Sequence, residues 1–139
     1  MKCRYVYTAR RNRILCKAPQ ISIVDDDASV RASMKRLMMS SGYEAESFPS
    51  VDELLNSGQL QDVSCIIADV QMPKATGFDM QRALKNAGYR IPIIFITAFP
   101  NDKGRDHALK EGAHCYLRKP VSIDELLDCV QSAVSQREK

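Results

Sequence analysis

An α/β fold, with one parallel five-stranded sheet doubly wound by helices, is predicted by three features of the sequence. Short apolar runs alternate along the chain with segments of helical period. The inner runs are apolar almost throughout, not at every second residue, as strands are when both faces of a sheet are covered. The polar residues with chemical potential fall at the C-terminal ends of those runs. Such alternation marks βαβ units and a parallel sheet.

The first strand candidate is QISIV at 20–24. ASVRASMKRLMMSSG follows, with Val30, Met34, Leu37 and Met38 on one helical face and Gly42 where a C′ glycine belongs. YEAESF (43–48) has Tyr43, Ala45 and Ser47 on one side and reads as a weaker, edge-like strand. Ser50 and Glu53 have capping-box spacing ahead of Leu54 and Leu55, which starts a second helix. VSCIIA (63–68) is a central strand, and FDMQRALKNAG (78–88) a helix ending at Gly88. IPIIFI (91–96) is the most apolar strand, with Pro92 near its start, where a missing N–H matters least. NDKGRDHALKEG (101–112) is a poor helix, weakened by Gly104 and short of large apolar residues. HCYLR (114–118) is the fifth strand. Ser122 and Glu125 open a last helix, whose apolar stripe is Leu126, Leu127, Val130 and Val134. Right-handed crossovers permit few arrangements of five such units. The flavodoxin-like order 2-1-3-4-5 makes YEAESF an edge and keeps the three most apolar strands inside.

At 139 residues, with 45% hydrophobic and 27% charged residues, the chain suits one globular domain. A chain of this size buries roughly 65–70% of its unfolded surface and needs no staples. No apolar run approaches the ~20 residues that span a bilayer, and Arg10, Arg11 and Arg13 break up any signal-peptide core. The net charge of +3 hides a division. Six of the 20 bases (Lys2, Arg4, Arg10, Arg11, Arg13, Lys17) precede residue 19 and no acid does, so 14 bases face 17 acids in the rest, a balance of −3. The expected organisation is therefore a basic extension over 1–18, without structure of its own or originating in a misassigned start, and a mildly acidic domain over 19–139. A basic arm can bind nucleic acid or anionic membrane, but the plainer reading outweighs that, and neither partner is expected for the domain. The five cysteines (Cys3, Cys16, Cys65, Cys115, Cys129) are odd in number and form no C-x-x-C, and His107 and His114 have no ligand-like spacing to them. Reduced thiols in a cytoplasmic protein are expected, and a zinc site is not.

The strand ends carry the functional signal. The first strand runs into Asp25 and Asp26, the third into Asp69, the fourth into Thr97 and the fifth into Lys119. In a parallel sheet these ends share one edge. With order 2-1-3-4-5, strands one and three are neighbours whose helices leave on opposite sides, which opens a crevice there. Three carboxylates converging in a crevice of reduced dielectric repel one another strongly. A hard divalent cation relieves that repulsion, and carboxylate, carbonyl and water ligands suit Mg²⁺, with Mn²⁺ as a substitute. Thr97 and Lys119 are then placed for an anion, and a phosphoryl group fits, because its transfer needs charge neutralisation and positioning above all. Asp69 is the nucleophile candidate, forming an acyl phosphate. Pro73 and Gly77 shape the turn behind it, Pro73 by fixing φ and Gly77 by freedom to take φ > 0. The Gln71 carbonyl is a candidate third protein ligand to the metal. Singly, each residue has a plainer role: Asp26 or Asp27 as an N-cap, Thr97 as a β-former, Lys119 as a solvated charge. Four strand ends bearing these types in this order outweigh the plainer roles.

Taken together, IVDDD, DVQMP with the following glycine, ITA and KP resemble the receiver domain of bacterial two-component response regulators, over residues 20 to 135. VDDDASVR and DVQMP look most like FixJ-type regulators. The resemblance implies that Asp69 accepts a phosphoryl group from the phosphohistidine of a sensor histidine kinase. It implies Asp26 as a direct Mg²⁺ ligand, Asp25 as a ligand through water, and the Gln71 backbone carbonyl as a third. Lys119 would bond the phosphoryl oxygens, and Lys119–Pro120 would be a cis peptide. Thr97 would swing toward the phosphoryl with Tyr116 turning inward behind it, repacking the face made by the fourth helix, fifth strand and fifth helix. The domain would be regulatory, catalysing only its own phosphorylation and dephosphorylation. It would control transcription through its own effector domain, of helix-turn-helix type in FixJ-like proteins, or through a separate target protein, with homodimerisation on phosphorylation. SQREK at the C-terminus resembles the start of a linker. Phe99-Pro100 after ITA is unusual for the family and lies where the loop must move.

Three other classes compete. A phosphatase of the haloacid dehalogenase type would use Asp25 and Asp27 as its Asp-x-Asp. It leaves Asp69 without a task, however, and puts its further acids, Asp124, Glu125 and Asp128, inside the last helix. An interaction module that no longer takes phosphate would not need the intact site. A nucleotide-binding fold would need a glycine-rich loop after the first strand, and none follows.

Overall fold

Successive residues of a strand point to opposite faces of its sheet, and here both sets are apolar. The computed structural model describes residues 4–8 and 13–137. In its main sheet, β3 (Gln20–Val24), β4 (Glu44–Phe48), β5 (Val63–Asp69), β6 (Ile93–Thr97) and β7 (Cys115–Arg118) lie in the order β4-β3-β5-β6-β7, all parallel. This is the 2-1-3-4-5 arrangement that the sequence predicts. Ile66, Ala68 and Phe95 face one core, shared with Val51 and Leu54 of α2 (Val51–Leu55), Met80 and Leu84 of α3 (Gly77–Asn86) and Ala108 of α4 (Asp102–Lys110). Cys65, Ile67, Ile94 and Ile96 face the other, shared with Met38 of α1 (Ala28–Ser40) and Leu126, Val130 and Val134 of α5 (Ile123–Arg137). Two helices thus cover one face and three the other.

The punctuation of the chain is local chemistry. Asp27 caps α1, its Oδ1 accepting the N–H groups of Ser29 at 2.8 Å and Val30 at 3.2 Å. Gly42, at φ 95°, takes the left-handed turn after that helix. The Ser50 hydroxyl accepts the Glu53 N–H at 3.2 Å, but α2 lasts only five residues. Ser122 likewise accepts the Glu125 N–H at 3.3 Å where α5 begins. A complete capping box not read from the sequence opens α3, where Thr76 and Asp79 bond each other's backbone. β6 starts one residue after Pro92, whose carbonyl still accepts the Ile66 N–H at 3.0 Å.

Within the stretch that the sequence assigns to the basic extension, β1 (Arg4–Thr8) and β2 (Arg13–Lys17) pair antiparallel as a separate two-stranded sheet. No strand is expected there from the sequence.

Candidate functional site

β3 and β5 are adjacent, and the helices that follow them, α1 and α3, lie on opposite faces of the sheet. The crevice predicted beyond their C-terminal ends is where the acids meet. Asp25, Asp26 and Asp69 each offer a carboxylate oxygen, and these atoms all lie within 4.8 Å of one another.

Asp25 is 4% exposed and held from all sides. Its N–H donates to the Phe48 carbonyl at the end of β4, 3.2 Å away. Its Oδ1 accepts the Asp27 N–H at 2.9 Å, and its carbonyl accepts Nη1 of Arg31 at 2.7 Å. Asp26, next in the chain, is exposed. Asp69 is the last residue of β5, with a side chain 11% exposed. Its Oδ1 accepts the Gln71 N–H at 2.9 Å, which folds the chain back at once after the strand.

Lys119 follows β7 directly, and its N–H donates to the Thr97 carbonyl at 2.8 Å. Its ammonium reaches across the sheet edge to Asp69 Oδ2 at 2.8 Å and to Asp25 Oδ2 at 3.4 Å. The Lys119–Pro120 peptide is cis. Burial alone would lower the lysine pKa, but the bond to Asp69 and the charges of Asp25 and Asp69 outweigh it and leave the pKa raised. The ammonium is firmly protonated at neutral pH. For Asp25 the balance is reversed. Burial is the largest influence and raises its pKa, and together with the repulsion of Asp69 it outweighs the lowering by the Asp27 N–H and Lys119. One ammonium therefore does not fully compensate the buried acid.

The donor set fits a divalent hard cation. It consists of carboxylate oxygens on three side chains, two of them nearly buried, with a net negative balance after Lys119. Asp25, Asp26 and Asp69 are the side chains that could hold it.

Thr97 is fully buried at the end of β6, and its Oγ1 accepts the Phe99 N–H at 3.1 Å. Phe99 itself is 71% exposed. Tyr116 is half-buried on β7, with its ring against the core on the α4 side. Its hydroxyl lies so close to Gly104 that a Cβ there would come within 3.0 Å of it. Thus the site residues read from the sequence do gather at one edge, except that Tyr116 lies outside the acidic cluster, toward α4.

The loop after Asp69 corrects one expectation. Gly77 does not have positive φ; the left-handed residue is Lys74, at φ 69°. Gly77 is required for space, since a Cβ on it would stand 2.8 Å from the Phe95 ring and 2.9 Å from the Asp69 carbonyl. Its N–H also donates to the Val70 carbonyl at 2.9 Å, which closes the loop. Nothing in a lysine's chemistry announces a left-handed conformation, and the crowding at Gly77 comes from a residue 18 positions away in sequence. Arg31 likewise carries no functional signal in the sequence. Its bond runs to a backbone carbonyl, which carries no residue signature.

Comparison with known proteins shows the family and the fold. The family model described as the response regulator receiver domain matches residues 21–131. The transcriptional regulatory protein TdiR of Thauera aromatica is 34% identical over 118 residues, covering 85% of this chain and 52% of that protein. The structure of a response regulator receiver protein from Burkholderia phymatum is 40% identical with a TM-score of 0.73, over 84% of this chain and 95% of that one. That of FixJ-N is 25% identical with a TM-score of 0.76, over 86% and 95%. The chain spans about half the length of the curated relatives it matches, 52% for TdiR.

Proposed function

The chain belongs to the response-regulator receiver domain family of two-component systems, and from that premise we propose that Asp69 accepts a phosphoryl group from the phosphohistidine of a sensor histidine kinase in a Mg²⁺-dependent reaction. The observation that carries the proposal is the triangle of Lys119 with Asp69 at 2.8 Å and Asp25 at 3.4 Å, beside a third carboxylate on Asp26. An Asp69 oxygen attacks phosphorus, the phosphorus–nitrogen bond to the donor imidazole breaks, and the aspartate is left as an acyl phosphate. Lys119, already on Asp69 Oδ2, is placed to follow the charge onto the phosphoryl oxygens. Asp25, Asp26, Asp69 and the Gln71 carbonyl would hold Mg²⁺, which supplies charge neutralisation for the incoming phosphoryl group.

The response is a change of partners. Thr97 turns its hydroxyl to a phosphoryl oxygen, and Tyr116 moves inward from its place beside Gly104. The face made by α4, β7 and α5 repacks, biased by contacts that only the phosphorylated state has. Curated relatives longer than this chain, including a transcriptional regulatory protein, support control of transcription. The output would run through a helix-turn-helix effector domain or a separate target, with homodimerisation on phosphorylation. A cytoplasmic site of action fits: among the described residues no helix is long and apolar enough to cross a membrane, and Cys65, Cys115 and Cys129 are free thiols.

Incubation with acetyl phosphate and Mg²⁺, followed by mass spectrometry, should place one phosphoryl group on Asp69. Asp69→Asn should abolish it with the circular dichroism spectrum unchanged, and excess EDTA should abolish it in the wild type. Modification of Asp25 instead would favour the phosphatase-type reading, and labelling undiminished by EDTA would refute the role of the metal.

A further inference from the structure

We infer that Arg31 is a positioning residue for the cation site: it holds the peptide between Asp25 and Asp26 so that the exposed Asp26 carboxylate meets those of Asp25 and Asp69. The inference rests on the cation reading above. It starts from a bond unrelated to charge pairing. Arg31, part-buried on the first turns of α1, directs Nη1 at the Asp25 main-chain carbonyl, 2.7 Å away, and not at a carboxylate. A peptide is planar, so fixing that carbonyl fixes the plane that runs on to the Asp26 Cα. The other supports of the loop leave this peptide to Arg31. The Phe48 carbonyl holds the Asp25 N–H, the Asp27 N–H and Lys119 hold the Asp25 side chain, and the Asp27 side chain is spent on capping α1. Asp26 thus sits between two anchored neighbours, and its entry side is set by Arg31. Three acids within 4.8 Å repel one another, and a loop free to rotate at this peptide would relax by swinging Asp26 into solvent. A guanidinium donor to a carbonyl is a strong restraint against that.

The sign of the effect separates positioning from simple charge. As a nearby cation, Arg31 competes with a metal, so its removal would tighten metal binding. As a positioning residue, its removal weakens it. Mn²⁺ binding, followed by the electron paramagnetic resonance signal of the free ion, is expected to be about 10-fold weaker in Arg31→Met, the lower end of the loss seen when outer-shell partners of a metal site are removed. The Mg²⁺ concentration for half-maximal labelling by acetyl phosphate should rise by the same factor, with the plateau unchanged. Arg31→Lys keeps the charge and the helix but lacks the planar fork, and about threefold weaker binding is expected, intermediate between the two. Arg36→Met removes an exposed charge from the same helix and should leave the affinity within about twofold of wild type, or slightly tighter, as the Coulomb sign requires. Wild-type affinity in Arg31→Lys together with tighter or unchanged binding in Arg31→Met overturns the inference. So does equal weakening by Arg36→Met. If Arg31→Met does not fold, wild-type affinity in Arg31→Lys alone overturns it. Absence of Mn²⁺ binding and labelling in the wild type would instead refute the cation reading itself.

Discussion

Gly77 and Lys74 divide the work of the loop behind Asp69. Lys74 takes the left-handed turn, at φ 69°, and Gly77 lets the start of α3 approach the sheet. The closeness is measured by what a methyl group would meet: the Phe95 ring at 2.8 Å and the Asp69 carbonyl at 2.9 Å. Phe95 is fully buried and cannot move away cheaply. Gly77→Ala is therefore predicted to destabilise the fold by about 1–3 kcal/mol through overpacking. The gain of up to about 1 kcal/mol in helix propensity is too small to offset it. Urea unfolding would measure this, and a variant as stable as wild type would show that α3 has room to retreat. The same crowding displaces the Asp69 main chain, so slower labelling by acetyl phosphate should accompany the lost stability. Lys74 is a different case, because a side chain in the left-handed region is strained and Lys74→Gly would relieve that strain.

Among the helices, α4 is held unequally along its length. Its C-terminal half is tied to α3: the buried Gln81 amide donates to the Ala108 carbonyl at 3.1 Å, and Lys85 meets Glu111 at 3.4 Å. The ion pair is exposed and contributes little. Ala108 is the only buried residue of α4. The N-terminal half rests on a cap, Asn101 Oδ1 accepting the Gly104 N–H at 2.7 Å, and on the Tyr116 hydroxyl beside Gly104. A cavity of about 270 Å³ lies there, between Pro100, Asp102, Arg105, Tyr116 and Arg118. A helix anchored at one end and poorly packed at the other pivots more readily than it slides. Gln81 is the residue to test. Its Oε1 is buried without a partner among the described residues, and the Ala108 carbonyl keeps a second donor, the Ala113 N–H at 2.9 Å. Gln81→Leu therefore removes one hydrogen bond and one orphan oxygen, and stability should stay within about 1 kcal/mol of wild type. Amide hydrogen exchange over 105–110 should nonetheless become several-fold faster, because the tie to α3 is gone. Unchanged exchange there would mean that Gln81 does not anchor the helix.

For the whole molecule, the core residues whose burial is described all lie between Ile21 and Val134. Removal of residues 1–18 is predicted to leave two-state unfolding, Mn²⁺ binding and Asp69 labelling as they are. A loss of stability above about 1 kcal/mol would make β1 and β2 part of the fold. The fold itself was legible because its signals are local: the period of the apolar residues, the caps at Asp27 and Ser50, the glycine after α1. So was the gathering of the polar strand ends. Aspartates, a threonine and a lysine closing successive strands must share one edge once the sheet is parallel, whatever the details of packing. What the chain could not disclose by itself depends on atoms far apart in sequence. The crowding of Gly77 by Phe95, the hold of Gln81 on Ala108 and the reach of Lys119 to both Asp25 and Asp69 arise only when the layers close. The grip of Arg31 on the Asp25 carbonyl is short in sequence but equally silent, because it addresses a backbone oxygen that every residue possesses. Residue type and spacing carry the alternation and the chemistry of the strand ends, whereas distances between elements, and the restraints they impose, exist only in three dimensions.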